Sequence, residues 1–254
     1  IENKSIYHSL YKNKFEDTPT EKLPQILSTQ LYMPEYEVEP SSSFVVDSWY
    51  KSSLWLYLLY PFSLLFSYLT TRRRKKFIDK QKDSFKPDIP VIVVGNITIG
   101  GTGKTPLVKH IASELHKKGY RPGIVSRGYG GKFKKTLQVL KNSTVKETGD
   151  EAQILAKLNF PFYIDKNRVR AIKTLIKNHN CNVIISDDGL QHYKMGRDIE
   201  IAVIDGKRRF GNSLTFPGGP LRESKKRLNS VDFIVNNSGP TEEGEYLMNI
   251  SPSK

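Results

Sequence analysis

The chain has 254 residues, room for one large domain or two small ones, and its 37% apolar content is enough for a core. Forty Lys and Arg against 26 Asp and Glu give a formal net charge of +14, so the favoured partner is anionic: nucleic acid, an acidic membrane surface or a phosphorylated substrate. A single cysteine, Cys181, excludes an internal disulfide; it fits a reducing compartment and reads as a packed thiol rather than a nucleophile.

Residues 1–46 are polar, with scattered prolines (Pro19, Pro24, Pro34, Pro40) and a closing Ser41-Ser42-Ser43. They read as an extended or disordered tail with no signal peptide, in which Ile6–Tyr11 has the pattern of a short helix. The chain opens on Ile1 rather than Met and closes on Ser251-Pro252-Ser253-Lys254, so one or both ends are expected not to be natural termini.

Residues 47–80 differ in kind. Leu54–Leu69 is uncharged and strongly apolar, is interrupted by Pro61, and runs straight into Arg72-Arg73-Arg74-Lys75-Lys76. A spanning helix needs about 20 apolar residues, so this run is slightly short. Its Trp and Tyr suit an interface and its basic flank suits anionic headgroups on a cytoplasmic side. A buried helix with a solvated basic end is the plainer alternative; the adjacent charge block favours membrane contact, spanning or lying flat.

From Asp88 the pattern becomes α/β. Strands are expected at Ile89–Val94, Arg121–Val125, Val183–Ser186, Glu200–Ile204 and Val231–Val235. Helices are expected at Leu107–Lys118, closed by Gly119, and at Asp150–Leu158 and Lys166–Asn178. This alternation implies an α/β, P-loop NTPase-like fold: a mostly parallel sheet with flanking helices, preceded by the membrane-associated helix. The core is expected over residues 81–238, with 239–254 as a truncated C-terminal tail.

Thr98-Ile99-Gly100-Gly101-Thr102-Gly103-Lys104-Thr105 follows the first of these strands and opens a helix, the context a phosphate loop requires. The glycines let backbone N–H groups close around phosphate oxygens. Lys104 reaches β- and γ-phosphates, and the Thr105 hydroxyl suits Mg²⁺. The general pattern GxxxxGK[ST] wants glycine where this chain has Thr98.

A phosphate loop also needs a carboxylate near its metal. Val183-Ile184-Ile185-Ser186-Asp187-Asp188 offers Asp188 or Asp187 at the end of an apolar strand, with helix capping as the alternative. Asp150-Glu151 stands at a helix start, where it is either a cap or the acceptor of a hydroxyl's proton. Arg127-Gly128-Tyr129-Gly130-Gly131-Lys132 is a cationic glycine-rich loop that contacts phosphate or substrate, or only turns. Arg222, in the punctuated Phe216–Glu223 loop, is a second arginine suited to phosphate.

Together these blocks resemble the tetraacyldisaccharide 4'-kinase family, the lipid A kinases of Gram-negative bacteria. The matching runs are Val93–Pro106, Ser126–Gly131, Gly149-Asp150-Glu151, Ser186–Tyr193, Arg197–Glu200, Arg208–Asn212 and Pro220–Glu223, in order and spacing, between about Trp49 and Asn237. Thr98 is ordinary within that family. The resemblance implies transfer of the γ-phosphate of ATP, with Mg²⁺, to the 4'-hydroxyl of a tetraacyldisaccharide 1-phosphate, the lipid A disaccharide precursor. It implies work at the cytoplasmic face of the anionic inner-membrane surface. Thr98, Gly100, Gly101, Thr102, Gly103, Lys104 and Thr105 would hold the nucleotide, and Lys104 would also serve catalysis. Asp150 would act as base, Thr105, Glu151 and Asp188 would support the metal, and Arg127 and Arg222 would meet the substrate's phosphate. The family continues beyond the point where this chain stops. A membrane-associated P-loop ATPase switch is the rival reading, and a nucleic-acid-binding module has charge alone behind it, with no reader motif.

Overall fold

The computed structural model describes residues 18–28, 32–33, 44–51, 53–79 and 83–250. Nine strands form one sheet: β1 (Tyr32–Met33), β2 (Val91–Gly95), β3 (Pro122–Ser126), β4 (Leu137–Gln138), β5 (Phe162–Ile164), β6 (Val183–Asp187), β7 (Ile199–Asp205), β8 (Phe233–Asn237) and β9 (Glu245–Ile250). The order is β1-β9-β8-β7-β2-β6-β3-β5-β4, parallel throughout except for the antiparallel β4–β5 pair at one edge. The central strands are β-branched and apolar on both sides, as a parallel sheet covered on both faces demands.

The helices are α1 (Leu23–Ser28), α2 (Phe44–Tyr50), α3 (Tyr60–Ile78, preceded by a 3₁₀ turn at Leu54–Leu59), α4 (Lys104–Lys117), α5 (Val145–Thr148), α6 (Asp150–Ala156) and α7 (Arg168–Asn178). Side chains alternate across the pleat. Ile92 and Val94 of β2 pack in one cluster with Leu107 and Ile111 of α4, Leu155 of α6 and Leu23 and Leu27 of α1. Val91 and Val93 face the other way, toward Ala171, Ile172 and Leu175 of α7. The register aligns Val94 with Asp187 and Gly95 with Ala202, so the carboxyl ends of β2, β6 and β7 come together on one edge. Ligands of open parallel sheets bind at this edge.

The strands and helices expected from Asp88 onward all form, with ends displaced by a few residues. α4 starts at Lys104, three residues before its periodic run, because Pro106 falls in the first turn, where no intrahelical N–H is needed. Two expectations are corrected. The N-terminal segment is not a free tail over residues 18–28: Leu23, Ile26 and Leu27 are buried in the main core, and His110 of α4 meets the Ile26 carbonyl at 3.2 Å. The expected helix at Ile6–Tyr11 lies outside the described residues. The C-terminal stretch is not a loose tail either, since Glu245–Ile250 adds β9 in parallel beside β8 and buries Met248. α1, at six residues, is under two helical turns and too short for its periodicity to announce it, and β9 has its apolar run broken by Glu245 and Asn249.

Candidate active site

The phosphate loop is held from three sides. Thr98 bridges to Leu221, the Ile99 N–H donates to the Pro220 carbonyl at 2.7 Å, and the Arg222 N–H donates to the Ile97 carbonyl at 2.7 Å. The loop therefore lies against the Thr215–Arg222 turn. On a second side, Asn96 Nδ2 donates to the Gly100 carbonyl and to the Thr102 hydroxyl, both at 3.2 Å. On the third, Asn237 Nδ2 at the end of β8 donates to the Thr102 carbonyl at 3.3 Å, and Arg208, just past β7, donates from Nη2 to the Gly101 carbonyl at 2.6 Å. Gly103 has φ +85°, and a Cβ there would stand 2.6 Å from Asn237 Nδ2, so only glycine fits. Lys104 and Thr105 are buried at the first turn of α4.

β6 delivers its two aspartates to the same place in opposite roles. Asp188 is bound on both oxygens by Arg222 Nη1, at 2.9 and 3.1 Å, and lies 3.8 Å from Lys104 Nζ. Burial pushes its carboxyl up, but Lys104 and Arg222 more than offset this and hold it below the ordinary range. Asp187 is 1% exposed, and neither of its carboxylate oxygens has a hydrogen-bond partner among the described residues. Burial, and then the nearby Glu151 charge, push it up to about 7. An orphaned buried carboxylate is costly unless a cation meets it. Mg²⁺ takes hard oxygen ligands, so the unpartnered Asp187 carboxylate fits that ion. No cluster of three or more His, Cys, Asp or Glu at ligand spacing occurs among the described residues. Waters and phosphate would have to complete the shell.

Arg168 was not singled out in the sequence. It is buried at the start of α7 and donates to the Asp187 and Asp188 carbonyls, each at 3.0 Å. Burial lowers its guanidinium to about 10. It fixes the β6 end, including the αL backbone of Asp188 at φ +48°. No motif betrays such a residue, because its partners are backbone atoms 19 and 20 positions away. Asn96 and Arg208 stand inside runs quoted above and Asn237 outside any, but none of the three carries a local sign that its partner is a phosphate-loop carbonyl.

Asp150 and Glu151 open α6 and are exposed. Glu151 is close enough to act on Asp187 electrostatically, whereas no described hydrogen bond or ion pair joins Asp150 to the Lys104–Asp188 pair. Gly149, at φ +87°, abuts the Tyr129 carbonyl, and a Cβ on Gly131 would meet the Glu147 carbonyl at 2.6 Å. The second glycine-rich loop is thus glycine-rich partly to let two backbones touch ahead of Asp150. Arg127 is exposed at the end of β3, within electrostatic reach of Arg168.

The Asp188–Tyr193 and Pro220–Glu223 blocks are tied by Glu223. It accepts from Gln191 Nε2 at 2.9 Å and from the Tyr193 hydroxyl at 2.5 Å. Burial, then Glu223, push the Tyr193 phenol well above its ordinary range. His192 is driven down to about 4, by burial first and then by Arg168, Arg197, Arg73 and Lys194.

The same late loop carries the apolar helix. Ser63 Oγ of α3 accepts from the Gly218 N–H at 2.9 Å, and the Ser63 carbonyl accepts from Thr215 Oγ1 at 2.7 Å. Phe66 packs edge-on against Phe216, Arg74 donates to Ser230 at 2.9 Å, and Phe77 packs on Tyr193. Residues 63, 66, 74 and 77 lie along one helical face. The remainder is bare: Leu54, Leu58, Phe62, Leu64, Leu65, Tyr68 and Leu69 are exposed, Leu54 by 83% and Leu58 by 78%. Leu54–Ile78 is 25 residues long and, by length and composition, apolar enough to cross a membrane. Beside it a cavity of about 530 Å³ is lined by Trp49, Tyr50, Leu56, Tyr57 and Leu214, among others.

A glycine loop between strand and helix, a buried lysine and threonine at its end, and an aspartate pair at the neighbouring strand end define the P-loop class of site, whose general ligand is a nucleoside-triphosphate phosphate. The family model described as tetraacyldisaccharide-1-P 4'-kinase (LpxK) matches residues 55–253, and the chain belongs to this family. It is 47% identical over 213 residues to the tetraacyldisaccharide 4'-kinase of Methylobacillus flagellatus, covering 83% of this chain and 64% of that protein. It is also 47% identical over 206 residues to that of Shewanella frigidimarina, covering 81% and 62%. The chain thus spans less than two thirds of these relatives' length. A crystal structure of LpxK from Aquifex aeolicus in complex with ATP is similar in fold, with a TM-score of 0.69 at 30% identity, over 77% of this chain and 64% of that one. The match through residue 253 passes the limit near Asn237 that the motifs suggested.

Proposed function

We propose that this chain is an ATP-dependent lipid kinase, transferring the γ-phosphate of ATP to the 4'-hydroxyl of a tetraacyldisaccharide 1-phosphate in lipid A biosynthesis, at the cytoplasmic face of the inner membrane. One observation carries the reading. The Thr215–Arg222 turn docks the exposed apolar helix through Ser63 at one end and sends Arg222 to Asp188 beside Lys104 at the other. A membrane surface and a phosphate site are thereby separated by one short loop. The family membership supports the acceptor. The +14 charge supports an anionic surface and needs no nucleic acid to account for it.

In this reading the backbone N–H groups of Gly100–Gly103 and the Lys104 ammonium bind the β- and γ-phosphates, with Thr98 bracing the loop. Thr105 and Asp187 would hold Mg²⁺, with Glu151 nearby; bound there, the ion neutralises charge developing on the phosphate oxygens. Asp188, which the family resemblance gives to the metal, serves better in this reading as the link that aligns Lys104 with Arg222. Arg222 and Arg127 meet substrate phosphate. The acceptor oxygen attacks the γ-phosphorus, the bond to the β-phosphate oxygen breaks, ADP leaves, and the hydroxyl proton passes to Asp150. The docked face of α3 supports an interfacial helix lying along the domain rather than a freely projecting span. The kinase core would be residues 81–238 with β9 added.

The test is product identification. Tetraacyldisaccharide 1-phosphate in detergent micelles is incubated with the chain and Mg·ATP, and the product is read by phosphorus NMR. A new 4'-phosphomonoester, lost with Asp150→Ala while ATP binding persists, is expected. ATP hydrolysis at the same rate with and without lipid, and no phosphorylated lipid, would support the switch instead.

A further inference from the structure

We propose that Asn96, Arg208 and Asn237 are positioning residues that aim the phosphate loop's N–H groups by holding its carbonyls from behind. Three consecutive loop carbonyls each accept one side-chain donor: Gly100 from Asn96 Nδ2 at 3.2 Å, Gly101 from Arg208 Nη2 at 2.6 Å, and Thr102 from Asn237 Nδ2 at 3.3 Å. A trans peptide is planar, and its C=O and N–H point in opposite directions. Fixing the carbonyls of residues 100, 101 and 102 therefore fixes the N–H groups of Gly101, Thr102 and Gly103 toward the opposite side. None of those three N–H groups donates to any described residue in the hydrogen bonds outside the helices and strands. They are left for an anion.

The loop needs such help. Gly100 and Gly103 have φ of +107° and +85°, and glycine-rich backbone has many alternatives to the one in which its donors converge. Each of the three clamps is itself anchored. Asn96 is fully buried. Asn237 ends β8 and also packs against Gly103. Arg208 is gripped by Asp205, which accepts from its Nε at 2.5 Å and from its backbone N–H at 2.9 Å, and its guanidinium lies 5.7 Å over the Tyr50 ring. Arg208 thus joins the loop to α2, whose Tyr50 lines the cavity beside the apolar helix. Lys104 and the glycines explain binding of phosphate; these three residues explain why the loop is shaped before phosphate arrives.

The inference rests on the nucleotide half of the reading above and not on the lipid acceptor, so it is tested by binding alone. Displacement of a fluorescent ATP analogue by Mg·ATP is measured for the parent chain, Lys104→Ala, Arg208→Ala, Arg208→Lys and Asn237→Ala, with melting temperature in parallel. The parent should bind in a Lys104-dependent way. Arg208→Ala should weaken Mg·ATP by about tenfold, the loss of one charge-assisted hydrogen bond, and Asn237→Ala by about threefold. Arg208→Lys keeps the charge but cannot span Asp205 and Gly101 together, so it should recover less than half of the loss. If Asn237→Ala fails to fold, the two Arg208 variants decide the matter. Unchanged affinity in Arg208→Ala overturns the proposal, as does full recovery in Arg208→Lys, which would make Arg208 a mere charge. A parent chain that does not bind Mg·ATP through Lys104 overturns the nucleotide reading and this inference with it.

Discussion

Asp187 and Asp188 are adjacent, chemically identical and differently used. Asp188 has two cationic partners and stays ionised; Asp187 has none that touch it and sits fully buried at about 7. Its folded pKa lies above the ordinary 3.8, so the protonated form favours the fold. That contribution is present at low pH and lost as pH rises through about 7. The metal-free chain should therefore lose melting temperature between pH 5 and pH 8, and Asp187→Asn should flatten that slope. Mg²⁺ at pH 8 should restore stability to the parent and not to the variant. A parent slope unchanged by Asp187→Asn would show that another group sets it. His192 works in the other direction: its folded value of about 4 lies below the ordinary 6.5, so its contribution is lost as pH falls from 6.5 toward 4. His192→Gln should melt less differently between pH 6.5 and pH 4.5 than the parent does. The strand-end aspartates and the Lys104–Thr105 pair were legible in the sequence, because strand, loop and helix stand in a fixed order there. Arg168 and Asn237 were not, because each acts on backbone atoms far along the chain and carries no local pattern; Arg208 heads a quoted run, but nothing in that run shows that its partner is the Gly101 carbonyl.

At the scale of elements, two six-residue pieces change the picture of the ends. α1 has no periodic run to reveal it, yet Leu23, Ile26 and Leu27 complete the face of the core that α4 and Met248 build. Leu27→Ala should cost about 2–5 kcal/mol in urea unfolding, as a buried leucine does; a cost below about 0.5 kcal/mol, typical of surface sites, would mean that α1 is not part of the folded core. The long central elements were readable because β2, β6 and β7 each carry a run of apolar, mostly β-branched residues and α4 and α7 carry helical spacing. β5 was missed because it is three residues long, and β9 because Glu245 and Asn249 break its apolar run. α3 was read as apolar and basic; what only the fold reveals is which face of it is taken. Ser63, Phe66, Arg74 and Phe77 meet the domain, leaving Leu58, Leu65 and Leu69 outward. Leu58→Glu with Leu65→Glu should abolish cosedimentation with phosphatidylglycerol vesicles without lowering melting temperature. Vesicle binding that survives both changes would remove the apolar face from the account.

At the scale of the whole molecule, the carboxyl edge of one parallel sheet collects everything the chemistry needs. β2 leads to the phosphate loop, β6 ends at Asp187, β7 leads to Arg208, β8 ends at Asn237 and β3 leads to Arg127. The Thr215–Arg222 turn then lays the apolar helix against that edge; under the function proposed above, this would let acceptor lipid and nucleotide phosphate meet at the membrane surface. The most direct test of this arrangement is phosphate transfer from labelled ATP to tetraacyldisaccharide 1-phosphate in micelles, by the parent chain and by Lys104→Ala. Mg²⁺-dependent label in the lipid is expected with the parent, reduced by at least about a hundredfold in Lys104→Ala. Label entering the lipid equally with both proteins, or no lipid labelling by a parent that binds Mg·ATP through Lys104, would contradict it.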